Sequence, residues 1–222
     1  MKISIIIPVL DEERRIGQCL AELQGFEEFI VVDGGSRDRT VEIARAAGAR
    51  VETAPRGRAS QMNHGARLVS GDVLLFLHAD VSLPEGAAAH IERALADRAV
   101  VAGAFRTWHV ADDGRRAPWL HLADLRSRLS GLPYGDQALF VRREAFERVG
   151  GFPDQPLMED LELSRRLRRL GRIAIVPASV RVSGRRFLAH PIRDTLLVNA
   201  FPLLYRLGVP AARLARFYAD VR

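Results

Sequence analysis

Several side chains that could bind a cation or accept a proton stand shortly after apolar runs of this sequence. They are Glu12, Asp33, His78 and Asp80. Carboxylate oxygens are ligands that Mg²⁺ and Mn²⁺ favour, and an imidazole nitrogen suits Mn²⁺ better than Mg²⁺. Two adjacent acids, Glu159 and Asp160, begin a helical pattern later in the chain. The groups at the strand ends are of types that can bind a divalent cation.

The run Val73 to Leu77 is the element most directly placed to position such groups. Its five apolar residues predict a strand that is buried on both faces. In an open parallel sheet, ligands bind just beyond the carboxyl ends of the strands, so His78 and Asp80 are expected at the mouth of a site. The alternative is that Asp80 only caps the following turn, Val81 to Pro84.

Strand and helix patterns alternate along the chain. Strands are predicted at 3–9, 29–33, 49–53, 73–77, 100–108 and 138–141, and helices at 12–23, 40–48, 59–68, 85–96, 119–129, 143–149 and 159–170. This alternation predicts an α/β protein with a parallel sheet and right-handed crossovers.

Composition favours one ordinary globular domain. The chain has 222 residues, of which 48% are apolar, and this is enough for one well-packed core. The single cysteine, Cys19, excludes an internal disulfide framework and fits a reducing, cytoplasmic setting. The apolar start of the chain is short and interrupted by Pro8, so we expect a first strand there rather than a leader.

Basic charge is concentrated in the second half. Residues 1–111 carry a net charge of −2 and residues 112–222 carry +8. Such a field suits phosphate-bearing ligands or an anionic membrane surface. No nucleic-acid partner is expected, because the sequence has no recognised nucleic-acid motif and no basic stripe with interleaved aromatic residues.

Four short segments, taken in order, resemble the motifs of the family 2 glycosyltransferases. They are Pro8-Val9-Leu10-Asp11-Glu12, Val31-Val32-Asp33-Gly34-Gly35-Ser36-Arg37-Asp38-Arg39-Thr40, His78-Ala79-Asp80 and Leu157-Met158-Glu159-Asp160. The resemblance covers most of the chain and implies the GT-A fold, a single Rossmann-like and mostly parallel sheet flanked by helices. It implies one domain over 1–222, with a nucleotide-sugar half at 1–111, an acceptor half at 112–189 and a helical tail at 190–222.

The resemblance also implies a set of nucleotide-binding residues. They are Pro8, Glu12, Asp33, Gly57, Arg58 and Asn63. Asp33 matches the acid that bonds the base or ribose of the nucleotide, and such a bond would be charge-assisted. Gly57 would allow the backbone to approach the ligand closely.

The same resemblance implies the metal ligand and the catalytic base. Asp80 matches the second acid of an Asp-x-Asp motif, which holds Mg²⁺ or Mn²⁺ on the diphosphate. His78 replaces the first acid of that motif, which makes Mn²⁺ the expected preference if His78 binds the metal. Asp160, with Glu159 beside it, matches the base. The expected reaction moves a sugar from a UDP- or GDP-type donor to a hydroxyl acceptor, with inversion by direct displacement.

Two other positions depart from the family pattern. Asp11 stands where the family usually has asparagine, and Gly34 replaces the second acid of its Asp-Asp-Gly-Ser motif.

Three segments resemble one bacterial subgroup of the family more closely. They are Pro133 to Gln137, Gly150 to Pro153 and Pro156 to Leu163. The subgroup is named for its association with radical-SAM and selenium-domain genes, and with arsenosugar synthesis. The resemblance implies that Asp136 and Gln137 line the acceptor side, although a plain polar turn explains them equally well. Arg185 and Arg186 resemble a segment that pairs with diphosphate.

The tail and the overall activity each leave alternatives open. The apolar block Leu196 to Tyr205 and the arginines after it can pack on the domain or on a twin subunit, or can lie on the inner face of an anionic membrane. A nucleotidyltransferase could use a similar sheet, although the expected glycine-rich, lysine-bearing loop is absent. A nucleotide-sugar binder without turnover is the other alternative, because of His78.

Overall fold

A computed structural model describes residues 1–110, 132–183 and 200–219 of the chain. Its eight strands are β1 (Ile3–Val9), β2 (Glu28–Asp33), β3 (Arg50–Thr53), β4 (Val73–Phe76), β5 (Val81–Ser82), β6 (Val100–Val110), β7 (Phe140–Arg142) and β8 (Arg172–Ser183). They form one sheet in the order β3-β2-β1-β4-β7-β6-β8-β5. Residues from both halves of the chain therefore share one sheet.

Helices connect these strands. They are α1 (Ile16–Ala21), α2 (Thr40–Ala46), α3 (Arg58–Leu68), α4 (Ala87–Ala94), α5 (Arg143–Arg148), α6 (Glu159–Arg168) and α7 (Ala211–Ala219), with a one-turn 3₁₀ helix at Gly135–Gln137 and a helical segment at 200–206. The helix predicted at 119–129 lies outside the described residues. No helix in the described ranges is long and apolar enough to cross a membrane.

The first half of the sheet is parallel, as its sequence pattern predicts. β3, β2, β1 and β4 are neighbours, and each pair among them runs parallel. All seven residues of β1 are buried, which explains its continuous apolar run. Parallel strands end at the same edge of the sheet, so the loops after β1, β2 and β4 lie side by side.

The second half of the sheet is mixed. β7 lies antiparallel between β4 and β6, whereas β6 runs parallel to β8. The sequence analysis predicted no strand at β8. It predicted a turn at the position of β5, which pairs antiparallel with Arg181 and Val182 of β8. β8 begins with the apolar run Ile173 to Val176, but only three of its twelve residues are buried, unlike the fully buried β1 and β4.

The core has two layers, one on each face of the sheet. Ile5 and Ile7 face α1, α2 and α4, whereas Ile6 faces α3, α5 and α6. Gly65 in α3 allows a close approach, because a Cβ there would lie 2.5 Å from Ile6 Cγ2. This contact fixes α3 directly over β1 and places the start of the helix beside the strand-end loops.

The described part of the tail packs on the domain. Phe201 and Leu214 are buried in one small cluster with Leu157, just before α6 begins. The hydroxyl of Tyr205 donates to Gln155 Oε1 at 3.4 Å. The tail is thus attached to the segment that leads into the Glu159-Asp160 pair.

Candidate active site

The loop after β2 is built around the carboxylate of Asp33. Asp33 Oδ2 accepts the Gly35 N–H at 2.9 Å, and Oδ1 accepts the Ser36 hydroxyl at 2.5 Å. The Ser36 N–H lies 3.1 Å from both oxygens. Asp33 is 5% exposed, and its first task is therefore to fold this loop. A bond to a nucleotide would have to use the remaining acceptor capacity of the same oxygens.

The loop after β1 is tied to the loop after β2 by reciprocal bonds. The Asp11 N–H donates to Ser36 Oγ at 2.9 Å, and Asp11 Oδ1 accepts the Arg37 N–H at 2.7 Å. The Glu12 N–H donates to Thr40 Oγ1 at 2.7 Å. An asparagine oxygen could accept the Arg37 N–H equally well, which explains why Asp11 is a mild departure. The two loops behave as one unit.

Gln61, a residue that the sequence analysis did not select, joins the ends of β1 and β2. Its Nε2 donates to Val9 O and to Val32 O, each at 2.8 Å, and the side chain is buried. A Cβ on Gly34 would lie 3.0 Å from Gln61 Oε1, so a side chain at position 34 would require this amide to shift by a few tenths of an ångström. The second departure from the family pattern, Gly34, is therefore coupled to Gln61. Nothing in the pattern of α3 marks Gln61 as special.

Arg58 and Glu159 come together although they are 101 positions apart in the sequence. Gly57 precedes α3 with φ at 141°, and Arg58 is the first residue of that helix. Arg58 Nη1 lies 3.8 Å from Glu159 Oε1, and the Glu159 side chain is only 5% exposed. The geometry links a predicted nucleotide ligand to a predicted catalytic acid.

The side-chain amides of Asn63 and Gln137 hold the backbone. Asn63 Nδ2 donates to Phe152 O at 2.8 Å, and Asn63 Oδ1 accepts the Phe152 N–H at 2.9 Å. Buried Gln137 accepts the Tyr134 N–H at 2.9 Å and donates to Phe105 O at 3.0 Å. These bonds use both polar groups of each amide. The expected ligand-binding roles of Asn63 and Gln137 stay predictions, and they would have to use the second N–H or the remaining lone pair of each amide.

Asp160, His78 and Gly135 meet at the acceptor side. The Gly135 N–H donates to Asp160 Oδ2 at 2.6 Å, and the Leu161 N–H donates to Asp160 Oδ1 at 2.6 Å. A Cβ on Gly135 would lie 3.0 Å from His78 Nε2 and 3.2 Å from Asp160 Oδ2. Asp136 is the next residue in the same one-turn helix and is half-buried. The structure brings the predicted base and the predicted metal-binding histidine to one place.

Asp80 is half-buried just beyond β4. Its backbone oxygen accepts the Ser183 N–H at 3.2 Å, so β8 ends beside it. Burial, and then the charges of Glu22, Asp80 and Glu12, raise the pKa of the Cys19 thiol to about 12. Asp80 therefore lies near α1 and the end of β1, where the negative charges of Glu12 and Glu22 also gather.

The residues around Asp80 suit a divalent cation that binds together with a phosphate-bearing ligand. Among the described residues, no group of three or more His, Cys, Asp or Glu side chains could hold a metal ion. Mg²⁺ is commonly bound by one or two carboxylates together with water and substrate phosphates, and Asp80 can supply one such oxygen. The remaining predicted site residues are Pro8, which is buried in β1 opposite Val32, and Arg185 and Arg186, which lie outside the described residues.

The eight-stranded mixed sheet with its strand-end loops is a GT-A fold. Residues 4–151 match the family described as Glycosyl transferase family 2, and the chain belongs to this family. A probable glycosyltransferase of Bacillus subtilis, YdaM, is 26% identical over 217 aligned residues, which cover 81% of this chain and 50% of the relative. A PGL/p-HBAD biosynthesis glycosyltransferase of Mycobacterium bovis is 31% identical, over 67% of this chain and 62% of the relative. The chain thus spans about half to three fifths of these relatives.

Two solved structures share the fold at low sequence identity. The mannosyltransferase PcManGT of Pyrobaculum calidifontis, in complex with GDP-Man and Mn²⁺, has a TM-score of 0.66 at 22% identity, covering 94% of this chain and 65% of that chain. Glucosyl-3-phosphoglycerate synthase of Mycobacterium tuberculosis, in complex with Mg²⁺ and UDP, has a TM-score of 0.61 at 23% identity, covering 94% and 80%.

Proposed function

We propose that this chain is a glycosyltransferase that moves a sugar from a nucleoside diphosphate donor to a hydroxyl acceptor. The observation that carries the proposal is the fixed carboxylate of Asp160. Each of its oxygens accepts a backbone N–H at 2.6 Å, and it lies against Gly135 together with His78, which follows β4. A base held on one side of a site can act on a hydroxyl while the leaving group is held on the other.

The donor side of the proposed site is the joined pair of loops after β1 and β2. Its residues are Glu12, Asp33, Gly57 and Arg58, with the buried end of β1 at Pro8 beneath them. Arg58 supplies a positive charge that Glu159 orients at 3.8 Å. UDP or GDP is the proposed nucleotide, because solved structures with this fold contain one or the other.

A divalent cation, Mn²⁺ or Mg²⁺, completes the proposed donor site at Asp80. Bound there, it would neutralise charge on the departing diphosphate. Asp80 would contribute one carboxylate oxygen, and the diphosphate and water would contribute the others. Arg185 and Arg186 are proposed partners of the diphosphate on sequence grounds alone.

The proposed transfer is a direct displacement with inversion. The acceptor oxygen forms a bond to the anomeric carbon while the bond from that carbon to the diphosphate oxygen breaks. The bonding pair leaves with the diphosphate, and the hydroxyl proton passes to Asp160. General-base catalysis of this kind contributes about 10²- to 10⁴-fold to the rate.

A narrower assignment rests on three short segments. The resemblance of 133–137, 150–153 and 156–163 to the subgroup associated with radical-SAM and selenium-domain genes supports an arsenosugar-type acceptor. We propose that an arsenosugar-type acceptor is the first acceptor to assay.

The tail supports a proposed location in the cytoplasm at the inner face of an anionic membrane. Leu203, Leu207 and Phe217 are 58%, 73% and 62% exposed. The tail between 200 and 219 contains Arg206, Arg213 and Arg216 and no acidic residue. Exposed apolar side chains combined with a net basic charge match a surface of anionic phospholipids.

Calorimetry and thermal shift with nucleoside diphosphates test the proposed function. UDP or GDP with Mn²⁺ should stabilise the protein, by about 2.7 kcal/mol at one hundred times the Kd. Asp80→Ala should remove the Mn²⁺-dependent part of this effect, whereas Glu85→Ala, which changes a nearby exposed acid, should not. Binding without release of nucleoside diphosphate from any nucleotide sugar would indicate a binder instead. Release of pyrophosphate from a nucleoside triphosphate would indicate a nucleotidyltransferase.

A further inference from the structure

The chain just before α6 has little backbone hydrogen bonding of its own. Residues 153–158, which we call the approach segment, belong to no strand or helix. Pro153 and Pro156 have no N–H to donate, and the Gln155 N–H bonds locally to Pro153 O at 2.9 Å. The position of the approach segment must therefore depend mainly on the packing of its side chains.

The last residue of the approach segment has an unusual backbone conformation. Met158 has φ at 65° and ψ at 19°, which places it in the left-handed region. This conformation is uncommon for a residue with a long side chain, so contacts with its surroundings have to hold it. Met158 O accepts the Glu162 N–H at 3.0 Å, and the conformation of Met158 therefore sets the direction in which α6 begins.

Apolar contacts of this kind come from the tail. Leu157 is buried in one cluster with Phe201 and Leu214, and Met158 packs against the same cluster. The other described members of the cluster all belong to the tail, and they are Tyr205, Val209 and Ala215. The cluster thus joins the end of the approach segment to the buried face of the tail.

The carboxylate of Asp160 lies only two residues beyond Met158. Its Oδ2 accepts the Gly135 N–H at 2.6 Å, and its Oδ1 accepts the Leu161 N–H at 2.6 Å. Gly135 belongs to the one-turn helix before β7, so the first of these bonds requires α6 to begin at the correct place relative to the sheet. A shift at Met158 would move the carboxylate away from Gly135.

We propose that the tail positions the Asp160 carboxylate for the transfer step, and that Leu157 and Met158 are the positioning residues between them. The inference rests on the proposed glycosyltransferase function and adds a determinant of its rate. The loops after β1 and β2 are bonded to each other and to Gln61, so a change in the tail should leave the nucleotide side of the site in place.

Substitutions on the buried face of the tail test the proposal. Phe201→Ala and Leu214→Ala should each lower the turnover number by about ten- to a hundredfold, because misplacing a reacting group by about 1 Å has an effect of that order. The affinity for UDP or GDP with Mn²⁺, measured by calorimetry, should not change. Phe201→Leu and Leu214→Met keep an apolar contact and should retain most of the rate. Leu203→Ala and Leu207→Ala are the matched controls, since both side chains lie on the exposed face of the same tail.

Glycine at position 158 separates the backbone effect from the loss of packing. Glycine adopts the left-handed conformation without support from neighbouring side chains. Phe201→Ala should therefore lower the turnover number less in the Met158→Gly background than in the wild type, and an equal loss would overturn the role of Met158. Transfer is followed as release of nucleoside diphosphate from UDP-glucose and GDP-mannose, with glycerol added as the hydroxyl probe.

Hydrogen exchange reports the position of Asp160 independently of activity. The Gly135 N–H donates to Asp160 Oδ2, so the peptide that contains Gly135 should exchange faster in Phe201→Ala than in the wild type. The peptide that contains Gly35, whose N–H donates to Asp33, should exchange at the same rate in both. Circular dichroism confirms that each variant is folded. If Phe201→Ala does not fold, Leu214→Val is compared with Leu203→Val in the same assays, because it shortens a buried side chain by only one methylene.

The outcomes distinguish this inference from the proposed function. If folded Phe201→Ala and Leu214→Ala turn over a nucleotide sugar as fast as the wild type, the inference is overturned and the function stands. Equal losses of turnover and nucleotide affinity, or unchanged exchange at Gly135, would show that the tail only stabilises the domain and would also overturn it. If the wild type binds neither nucleotide with Mn²⁺, or binds them without turnover, the proposed function itself fails, and the exchange measurement alone decides whether the tail holds Asp160 in place.

Discussion

Asp160 and Glu159 are adjacent in the sequence, yet the structure gives their carboxylates different surroundings. Asp160 is half-buried, and its carboxylate accepts the backbone N–H groups of Gly135 and Leu161 at 2.6 Å each. Glu159 is nearly fully buried against the guanidinium of Arg58. A base must reach its substrate, so Asp160 is the better candidate and Glu159 the better support for Arg58.

Asp160→Asn should abolish most of the transfer and leave nucleotide binding intact. The change preserves the shape of the side chain and removes its basicity, and the expected loss in rate is about 10²- to 10⁴-fold. Turnover and calorimetry on the same preparation measure the two effects.

Glu159→Gln is the internal control for that experiment. It should weaken nucleotide binding through Arg58 and reduce the turnover number less than Asp160→Asn does. The opposite ranking would identify Glu159 as the base. Full activity in both variants would place the base elsewhere in the chain.

At the scale of single residues, the sequence predicted which residue types stand at strand ends but not which atoms they contact. His78 could be placed at the mouth of the site because it follows a strand, whereas its neighbour Gly135 is distant in sequence and has no side chain to suggest a role. Asn63 and Gln137 were selected by motif, and both turned out to bond to backbone atoms. Whether an amide faces a ligand or a main-chain group depends on tertiary packing, which the spacing of a motif does not report.

Among the elements, the loops after β1 and β2 depend on a single buried amide from α3. Gln61→Leu removes the two 2.8 Å bonds to Val9 O and Val32 O while keeping a similar volume. We expect a loss of about 1–3 kcal/mol in the free energy of unfolding, because Val9 O and Val32 O each lose a donor while Val9 O keeps the Gly34 N–H. Denaturant titration measures this loss.

The matched control is Gln18→Leu, which changes an exposed glutamine on α1. It should alter the stability by less than about 0.5 kcal/mol. Gln61→Leu should also weaken nucleotide binding, since the displaced strand ends carry both donor-side loops. Wild-type stability in Gln61→Leu would show that the strand ends do not need the amide.

The tail helices should bind anionic vesicles through their exposed face. Arg213→Gln combined with Arg216→Gln should weaken sedimentation with phosphatidylglycerol vesicles by about tenfold or more, since each arginine near such a surface contributes about 1 kcal/mol. Arg45→Gln combined with Arg67→Gln removes the same charge from exposed positions elsewhere and should have little effect. Vesicles of phosphatidylcholine alone should bind weakly.

The apolar part of that face is tested separately. Leu207→Ser combined with Phe217→Ser should reduce binding to the same vesicles without changing catalysis. Equal binding by the wild type and both double variants would contradict the membrane assignment. If the serine variant instead converts a dimer to a monomer in analytical ultracentrifugation, the face is an interface between two copies of the chain.

The elements that the sequence predicted well are those with uniform burial. β1, β2 and β4 have continuous apolar runs because helices cover both of their faces, and their bounds were predicted within about one residue. β8 was missed although it begins with the apolar run Ile173 to Val176, and most of its residues are only partly buried or exposed. β5 has two residues, and it exists only because β8 supplies its partner strand.

At the scale of the whole molecule, the described strands form one sheet, and the two ends of its parallel strands have different roles. At the carboxyl ends of the parallel strands, loops and acids form the candidate site. At the opposite ends, Glu28 ties together three separate parts of the chain. It accepts hydrogen bonds from the Ser4 hydroxyl and from the Ser70 N–H, and Lys2 Nζ lies 3.6 Å from Oε2. This cluster joins β1, β2 and the connection into β4 at the end remote from the chemistry.

Glu28 should make the stability of the fold depend on acid pH. Burial alone would raise the pKa of this carboxyl, but the hydrogen bonds from Ser4 and Ser70 and the charge of Lys2 outweigh it and lower the pKa from 4.5 to about 2. Because the folded state depresses this pKa, the contribution of Glu28 is complete above about pH 4.5 and is lost as the pH falls toward 2. Glu28→Gln should therefore reduce the free energy of unfolding by about 1–3 kcal/mol at pH 7. The difference from wild type should shrink steadily between pH 4.5 and pH 2.

The exposed neighbour Glu27→Gln is the control and should show no such convergence in urea titrations over the same range. A gap between wild type and Glu28→Gln that stays constant across these pH values would mean that the ionised carboxylate does not hold this end of the sheet together.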